Sequence, residues 1–447
     1  MTGILQQYLP LVVFIGVAGL IGLALLIAPF LLAFQQPDPG GVELLPYWLL
    51  GAAGELGWDD ASTPQKRAAD AHRAPKLPGH PDYVGPLNYA YHFDAVAFAD
   101  LLREHSIAAG VAHIVDTVRA VRLGEDGAIA ELALEQHGTI TADLYVDCTG
   151  FRAELIGKAL AQPWKSARDT LFCDTAVALQ APYPAPDDPI ASYTISTGRD
   201  AGWIWDIGLA ARRGIGYVYS SSHSSAEEAE RVLRAYVGPA QTDLETRTIC
   251  FSAGYREVGW HKNCVAVGLS SGFFEPLEAT GIVFSEIAAS LIANLFPWAG
   301  DFDTSSRQFN ANMRRRYERT LDFLKMHFCL TKRTDTAFWI ENAERASIPD
   351  SLSELLDRWR FRPPNELDID GNIDIFPEAS WQYVLYGMGW KTDLSAKAPV
   401  FRYPAEAREA FARVQAFADH AVRQLPSNRD LVRFAQRARF GQETAAA

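Results

Sequence analysis

A buried strand that runs through a glycine-containing loop straight into an apolar helix is the feature that most limits how this chain can fold. The stretch KNCVAVGLSSGFFEPLEATGI occupies residues 262–282, and the apolar helix is predicted to begin at about Ile282. This connection points the free amide groups and the positive dipole end of a helix at a ligand. We therefore expect an anion or an electron-rich ring edge at residues 279–282. An ordinary loop with Thr280 as its own N-cap is the alternative.

The remaining periodic segments predict a mixed α/β fold. A helix at residues 94–107 should pack on a sheet, and residues 118–123 and 130–134 should form a hairpin across the turn GEDG. A buried strand at 142–147 runs into Cys148-Thr149-Gly150, where glycine allows close approach of the backbone to a cofactor. Further elements are predicted as a strand at 111–114, helices at 226–236 and 282–296, and a mainly helical tail beyond residue 306.

The N-terminus has a different composition from the rest of the chain. Residues 9–34 form 26 consecutive residues without a charge, enough to cross a hydrocarbon layer as a helix. No Lys or Arg precedes Lys66, which favours a retained span over a cleaved signal peptide. The run YLPLVVFIGVAGLIGLALLIAPFLLAFQQPDP resembles the start of the A subunit of the proton-pumping NADH:quinone oxidoreductase. Residues 36–90, rich in Pro, Gly and Ala, predict an irregular linker.

Charge and cysteine usage exclude several classes of function. A net charge of -13 and a pI near 5.3 give no basic field for a phosphate backbone, so we expect no nucleic-acid partner. Five scattered cysteines lack metal-ligand spacing, so we predict no metal site and a reduced, cytoplasmic environment. Walker loops, HExxH helices and GxSxG elbows are absent from the sequence.

Four blocks together resemble the flavin-dependent tryptophan halogenases. Trp203 and Trp205 lie in the first, AGWIWDIGLAARRGIGYVYSS, and their i, i+2 spacing would place both indoles on one face of a strand. A plain hydrophobic strand face is the alternative for this pair. The other blocks are VDCTGFRAELIG at 146–157, EPLEATGI at 275–282 and FNANMRRRYERTLDFLKMHF at 309–328. The order and spacing of the blocks fit the family over about residues 60–440.

The resemblance implies an FAD-dependent monooxygenase-like (Rossmann-type) fold with a helical substrate lobe. It also implies a reaction in which FADH2 from a separate flavin reductase, O2 and chloride halogenate an indole or another aromatic small molecule. The chloride ligands of the family correspond to Thr280 and Gly281, and its flavin contacts to Leu269 and Ile282. Its catalytic carboxylate corresponds to Glu278, with Glu275 as the competing structural residue. The tryptophan pair is thought to keep organic substrates away from the flavin, although the usual closing proline is Gly208 here.

Two parts of the family pattern are missing. The GxGxxG turn that binds the FAD pyrophosphate is absent, and the YAYHFDA block already begins at Tyr89, which leaves no room for the first βαβ unit. Lys66 and Lys76 are the only lysines before that block, and neither lies in the lysine motif of the family. We therefore expect domains at 1–40 (transmembrane), 41–88 (linker), 89–300 (truncated FAD-binding core) and 301–447 (helical substrate lobe).

Three functions remain open from the sequence. The first is an FAD-dependent halogenase or related monooxygenase, for which we expect a cytoplasmic location with a tether to the inner membrane through residues 9–34. The second is a non-catalytic truncated or fused halogenase remnant that lacks the FAD fingerprint and the catalytic lysine. The third, a membrane respiratory subunit, depends only on the first forty residues or so.

Overall fold

The computed structural model describes residues 42–81, 83–239, 243–298 and 301–445, with side chains as far as residue 437. The predicted membrane segment and its resemblance to a respiratory subunit lie outside the described residues. The helices are α1 (Leu44–Leu49), α2 (Trp58–Ser62), α3 (Gln65–Asp70), α4 (Ala95–Ala108), α5 (Ala226–Val237), α6 (Thr280–Leu295), α7 (Asp303–Cys329), α8 (Ala337–Ala343), α9 (Asp350–Trp359), α10 (Glu378–Gly387), α11 (Pro404–Gln424) and α12 (Asn428–Ala445). The strands are β1 (Val118–Leu123), β2 (Ile129–Leu134), β3 (Thr139–Ile140), β4 (Tyr145–Asp147), β5 (Lys165–Ser166), β6 (Thr175–Pro182), β7 (Ile195–Arg199), β8 (Gly202–Gly208), β9 (Arg212–Tyr219), β10 (Arg247–Cys250), β11 (Gly254–Tyr255), β12 (Trp260–His261), β13 (Cys264–Ala266) and β14 (Gly272–Phe273).

A five-stranded antiparallel sheet of order β10-β6-β9-β8-β7 separates two hydrophobic layers. One face packs against α5 through Ala229 and Leu233, which are fully buried. The opposite face carries Trp203 and Val218 into the main core, together with side chains of α6 and α7. Because side chains alternate along a strand, β8 holds its indoles on the face that meets those two helices.

A smaller sheet of order β12-β13-β4 leads into the candidate site. Strands β13 and β4 are parallel, and β4 lies at the end of the sheet with its outer edge unpaired among the described residues. Val146 on this strand is 43% exposed, whereas Val265, its partner on β13, is fully buried. An apolar side chain on an open strand edge indicates that a neighbouring strand could still be added there.

The region around α4 differs from the prediction. The expected strand at residues 111–114 is wrong, because the chain from 111 to 117 forms no strand. The expected packing of the preceding helix on a sheet is also wrong, since α4 has no buried residue. In the segment that follows this helix, Val115 is 74% exposed. Asp94 still caps α4, accepting from the amides of Val96 and Ala97. The sequence signals that start this helix are therefore present. Among the described residues, no neighbouring layer buries its apolar side chains.

The other local predictions fit better. The hairpin is confirmed, with β1 paired to β2 in antiparallel register. The helices predicted at 226–236 and 282–296 appear as α5 and α6, with their ends shifted by one or two residues. The predicted strand at 142–147 is shorter, since it begins at Tyr145.

The C-terminal half is helical, as expected. Part of the predicted linker is also helical and packs against this half. Helices α1 and α2 pack through Leu45 and Trp58 into a cluster with Trp359 and Trp381 of the C-terminal lobe. Such short helices are stable only through tertiary contacts, which a local pattern does not show. The proposed domain boundaries stay a prediction.

One described stretch, Leu277–Leu295, has the length and composition that a membrane span requires. It consists mainly of α6, whose Phe284, Ala288 and Ile292 are buried in the main core. A helix of a globular fold can also have this length and composition when one of its faces packs against the protein core. Length and composition alone therefore do not identify α6 as a membrane span.

Candidate active site

The candidate site is the turn that joins β14 to α6. Two consecutive residues other than glycine, Glu278 and Ala279, have left-handed backbone angles, with φ of 63° and 52°. Each such residue costs about 1 kcal/mol or more, so the surrounding structure must hold the turn. Ala279 occupies the N-cap position and has no side-chain cap, so the alternative in which Thr280 caps its own loop is wrong. Thr280 is instead the first helical residue, and the first amides of α6 have no side-chain cap.

Thr280 and Gly281, the predicted chloride ligands, therefore lie together at the start of α6. Thr280 is buried, whereas Gly281 is exposed and has no atom within 4 Å of the position a Cβ would take. The helix dipole and the uncapped amides favour a negative charge at this end. The geometry is thus suited to an anion that approaches over Gly281.

The two glutamates of the turn have opposite environments. Glu275 is 1% exposed, and its Oε1 accepts a hydrogen bond from Nε1 of Trp203 at 3.1 Å. Burial raises the pKa of Glu275 to about 7, while hydrogen bonds from Trp203 and Cys173 partly oppose the rise. Glu278 is partly exposed, and its Oε1 lies 3.2 Å from Nε2 of His327. Only the second carboxylate can meet a substrate in this arrangement.

The paired tryptophans lie next to each other, as predicted. The ring centroids of Trp203 and Trp205 are 6.3 Å apart in an edge-on arrangement. Gly216 lies opposite Trp205 on β9, and a Cβ there would fall 2.1 Å from the indole. The missing side chain at this position is what makes room for the second ring.

Leu269 and Ile282, the predicted flavin contacts, are on neighbouring elements and both exposed. Leu269 lies in the turn Gly268–Ser270 directly after β13, and Ile282 lies in the first turn of α6 and is 54% exposed. Ser285 Oγ lies 3.5 Å from the Cβ position of Gly268, so the turn and the helix are in contact. Apolar side chains exposed beside free amides suit the flat edge of a ring system.

The turn after β4 is fixed by the buried carboxylate of Asp147. This carboxylate accepts from the amide and the hydroxyl of Thr149, at 2.9 and 2.6 Å. It also accepts from the amides of Leu155 and Ile156 at 3.0 and 2.8 Å. The DCTG turn is therefore rigid, and it contacts the turn that holds Leu269.

A buried lysine on α7 lies behind the site, and no motif had indicated it. Lys325 is fully buried, donates to Oδ1 of Asn342 at 2.9 Å and lies 4.8 Å from the ring centre of Phe172. Burial lowers its pKa to about 8, against the favourable charge of Glu275. By contrast, Lys66 is partly exposed and forms ion pairs with Asp60 and Asp70.

The described residues match the flavin only in part. The turn at Leu269, the DCTG turn and the start of α6 suit the ring end of the cofactor. A pyrophosphate typically binds at a glycine-rich turn between a strand and a helix. Among the described residues, the glycine-containing connection of this kind is the one that leads into α6, and it forms the Glu278 site itself. No group of three His, Cys, Asp or Glu side chains among these residues could hold a metal ion.

Sequence reasoning missed the partner of Glu278 and the buried lysine. His327 and Lys325 both lie in the block at 309–328, which was used for the resemblance and not for the site. The one available signal was a lysine and a histidine two residues apart in an otherwise apolar end of a helix. The contact of His327 with Glu278, which is 49 positions earlier in the chain, comes from the packing of α7 on α6.

Comparison with known proteins gives one consistent result. A family model described as tryptophan halogenase matches residues 28–400. The tryptophan 6-halogenase SttH of Streptomyces toxytricini is 40% identical over 340 residues, which are 76% of this chain and 65% of that protein. The 7-chloro-L-tryptophan 6-halogenase KtzR of Kutzneria sp. (strain 744) is 40% identical over 341 residues, 76% of this chain and 66% of that protein. The chain thus spans just under two thirds of the length of these two relatives.

A solved structure agrees with the sequence matches. The tryptophan halogenase from Shewanella frigidimarina NCIMB 400 superposes with a TM-score of 0.83 and 38% identity, covering 89% of this chain and 76% of that chain. The similarity therefore extends over both the sheet region and the helical lobe.

Proposed function

Because the chain belongs to the tryptophan halogenase family, we propose that it halogenates an indole or another aromatic ring with FADH2, O2 and chloride. The observation that carries the proposal is the turn at Glu278–Ala279, which joins an accessible carboxylate to the uncapped start of α6. An anion site and a proton acceptor are thereby held within a few residues of each other. Electrophilic halogenation of an aromatic ring requires both.

The chain's own residues would act in three ways. The amides at Thr280 and Gly281 hold chloride at the positive end of α6. When bound beside Leu269 and Ile282, reduced FAD supplies with O2 the oxidising power that converts chloride into hypochlorous acid. Trp203 and Trp205 form an apolar wall that excludes water and organic molecules from that reaction.

Glu278 is the proposed catalytic residue. The aromatic carbon that takes up the halogen must lose its proton, and a carboxylate beside that carbon can accept it. His327 holds Oε1 of Glu278 at 3.2 Å and so limits the positions that the carboxylate can take. General-base help of this kind typically contributes about 100-fold to 10,000-fold to a rate.

The test is a halogenation assay with the purified chain, FAD, a flavin reductase, NADH, chloride and tryptophan or indole. Mass spectrometry should show a product with the isotope pattern of one chlorine, and the product should disappear without reductase or chloride. Steady NADH oxidation without any halogenated product would contradict the proposal.

A second candidate is a non-catalytic halogenase remnant. The open edge of β4, the strand-free segment 111–117 and the unburied helix α4 favour it, because each leaves apolar side chains that the described residues do not cover. A remnant of this kind would fail to bind flavin, whereas the enzyme must bind its ring end. Flavin titration therefore separates the two candidates.

Membrane association through residues 9–34 stays a proposal that depends on composition alone, as does the resemblance of about residues 1–40 to a respiratory subunit. We propose that the halogenase part works in the cytoplasm, because its free cysteines need reducing conditions. Partition of the chain between membrane and soluble fractions, with and without residues 1–40, tests the tether. Equal partition of both forms would contradict it.

A further inference from the structure

The left-handed pair Glu278–Ala279 requires an anchor. Neither residue is a glycine, and both have positive φ, so the turn would relax if its ends were free. Downstream it is held by α6, with Thr280 buried. Upstream, the amide of Ala279 bonds to the carbonyl of Pro276 at 2.9 Å within the same turn. Leu277 packs into the main core, and Oε1 of Glu278 lies 3.2 Å from Nε2 of His327, so both hold the middle of the turn. The segment before Pro276 is the remaining end at which the turn can be fixed.

Glu275 has the contacts that such an anchor needs. It is the residue directly before Pro276, it is buried, and its Oε1 accepts from Nε1 of Trp203. Trp203 lies on β8, which is paired on both sides by β7 and β9 and is thus a rigid partner. Oε2 of Glu275 has no hydrogen-bond partner among the described residues, so the bond from Trp203 is the one that holds the carboxyl group.

We propose that Glu275 is a positioning residue: its hydrogen bond from Trp203 holds the Glu278–Ala279 turn, and with it the Thr280 and Gly281 amides, in the conformation that binds an anion. The two-tryptophan strand is then coupled directly to the anion site, in addition to forming a wall. The part that concerns the anion rests on the proposed function, whereas the part that concerns the turn does not.

Hydrogen exchange of residues 272–284 tests the coupling. Trp203→Phe keeps a large ring and removes the N–H donor, so exchange in this segment should rise about five-fold to ten-fold, the effect of one lost buried hydrogen bond. Glu275→Leu removes the acceptor and should have the same effect. Glu275→Gln keeps an acceptor oxygen and should stay within about two-fold of the unchanged protein.

Trp339→Phe is the matched control. Trp339 is buried in the same core and donates its indole N–H to the carbonyl of Arg199 at 2.8 Å, so its hydrogen bond does not involve residues 272–284. Its replacement should destabilise the core without raising exchange in residues 272–284. Equal exchange in the Trp203→Phe and Trp339→Phe proteins would overturn the proposal.

Chloride binding provides the second readout. Line broadening in chloride NMR should show binding to the unchanged chain and about five-fold weaker binding to the Trp203→Phe protein. The Glu275→Gln protein should bind chloride about as tightly as the unchanged chain. If the unchanged chain binds no chloride, the halide part of the proposed function fails, and the exchange experiment still decides the role of Glu275. If Trp203→Phe binds chloride as tightly as the unchanged chain, the coupling is refuted.

Discussion

The buried carboxyl of Glu275 should make the fold less stable as the pH rises toward neutrality. Burial raises its pKa from 4.5 to about 7, so between these values the folded protein keeps a proton that the unfolded chain has released. The contribution of Glu275 to the free energy of unfolding is therefore highest below about pH 4.5 and falls as the pH rises through about 7. At about 1.4 kcal/mol per pKa unit, the full loss is about 3 kcal/mol.

Glu275→Gln isolates this effect. The amide has the same size and can still accept the hydrogen bond from Trp203, but it cannot ionise. We expect the variant and the unchanged chain to differ little near pH 4.5, and the variant to be more stable by about 3 kcal/mol at pH 8. Urea denaturation followed by tryptophan fluorescence at several pH values measures the difference.

The control for this experiment is Trp339→Phe, which changes no titratable group and should shift the unfolding free energy equally at every pH. A Glu275→Gln difference that is constant from pH 4.5 to pH 8 would refute the argument. So would a variant that becomes less stable as the pH rises, because that sign requires a lowered pKa for Glu275.

Two further substitutions test the site and the exposed segment 111–117. Glu278→Gln should lower the rate of halogenation by about 100-fold or more with an unchanged melting temperature, since it removes the proton acceptor from a partly exposed position; near-normal product formation by mass spectrometry would exclude Glu278 as the base. Val115→Lys should change the unfolding free energy by less than about 0.5 kcal/mol, because the side chain is 74% exposed; a loss above about 2 kcal/mol in urea denaturation would mean that another layer covers it.

Much of the local structure could be predicted because its signals lie within a few residues. The turn GEDG between two short segments predicted the hairpin of β1 and β2, and the connection from a strand through a loop predicted the start of α6 to within two residues. The placement of Thr280 and Gly281 at that start follows from the same local signal. Trp203 and Trp205 came out adjacent because the pleat of a strand allows only that arrangement.

The remainder depends on which elements meet. The signal for a strand at 111–114 was genuine in composition, but a strand forms only where a neighbour pairs with it. Helices α1 and α2 were missed for the opposite reason, since their stability comes from contacts with Trp359 and Trp381 some 300 residues away. The resemblance predicted Glu278 as the catalytic carboxylate, and the burial of Glu275 beside the partial exposure of Glu278 supports that prediction, although their separation by three residues could not have indicated it.

Flavin titration with two ligands tests most directly whether this chain holds the ring-and-halide end of a halogenase site. The proposed flavin contacts, Leu269 and Ile282, would meet the ring, and no GxGxxG turn for a pyrophosphate occurs among the described residues, so we predict that riboflavin and FAD bind with dissociation constants within a few-fold of each other. Fluorescence quenching measures both, and repeating the titration after deletion of residues 1–40 shows whether those residues contribute. No binding of either flavin would contradict the ring site, and FAD binding about 100-fold tighter than riboflavin in the deleted form would show that the described residues hold the pyrophosphate after all.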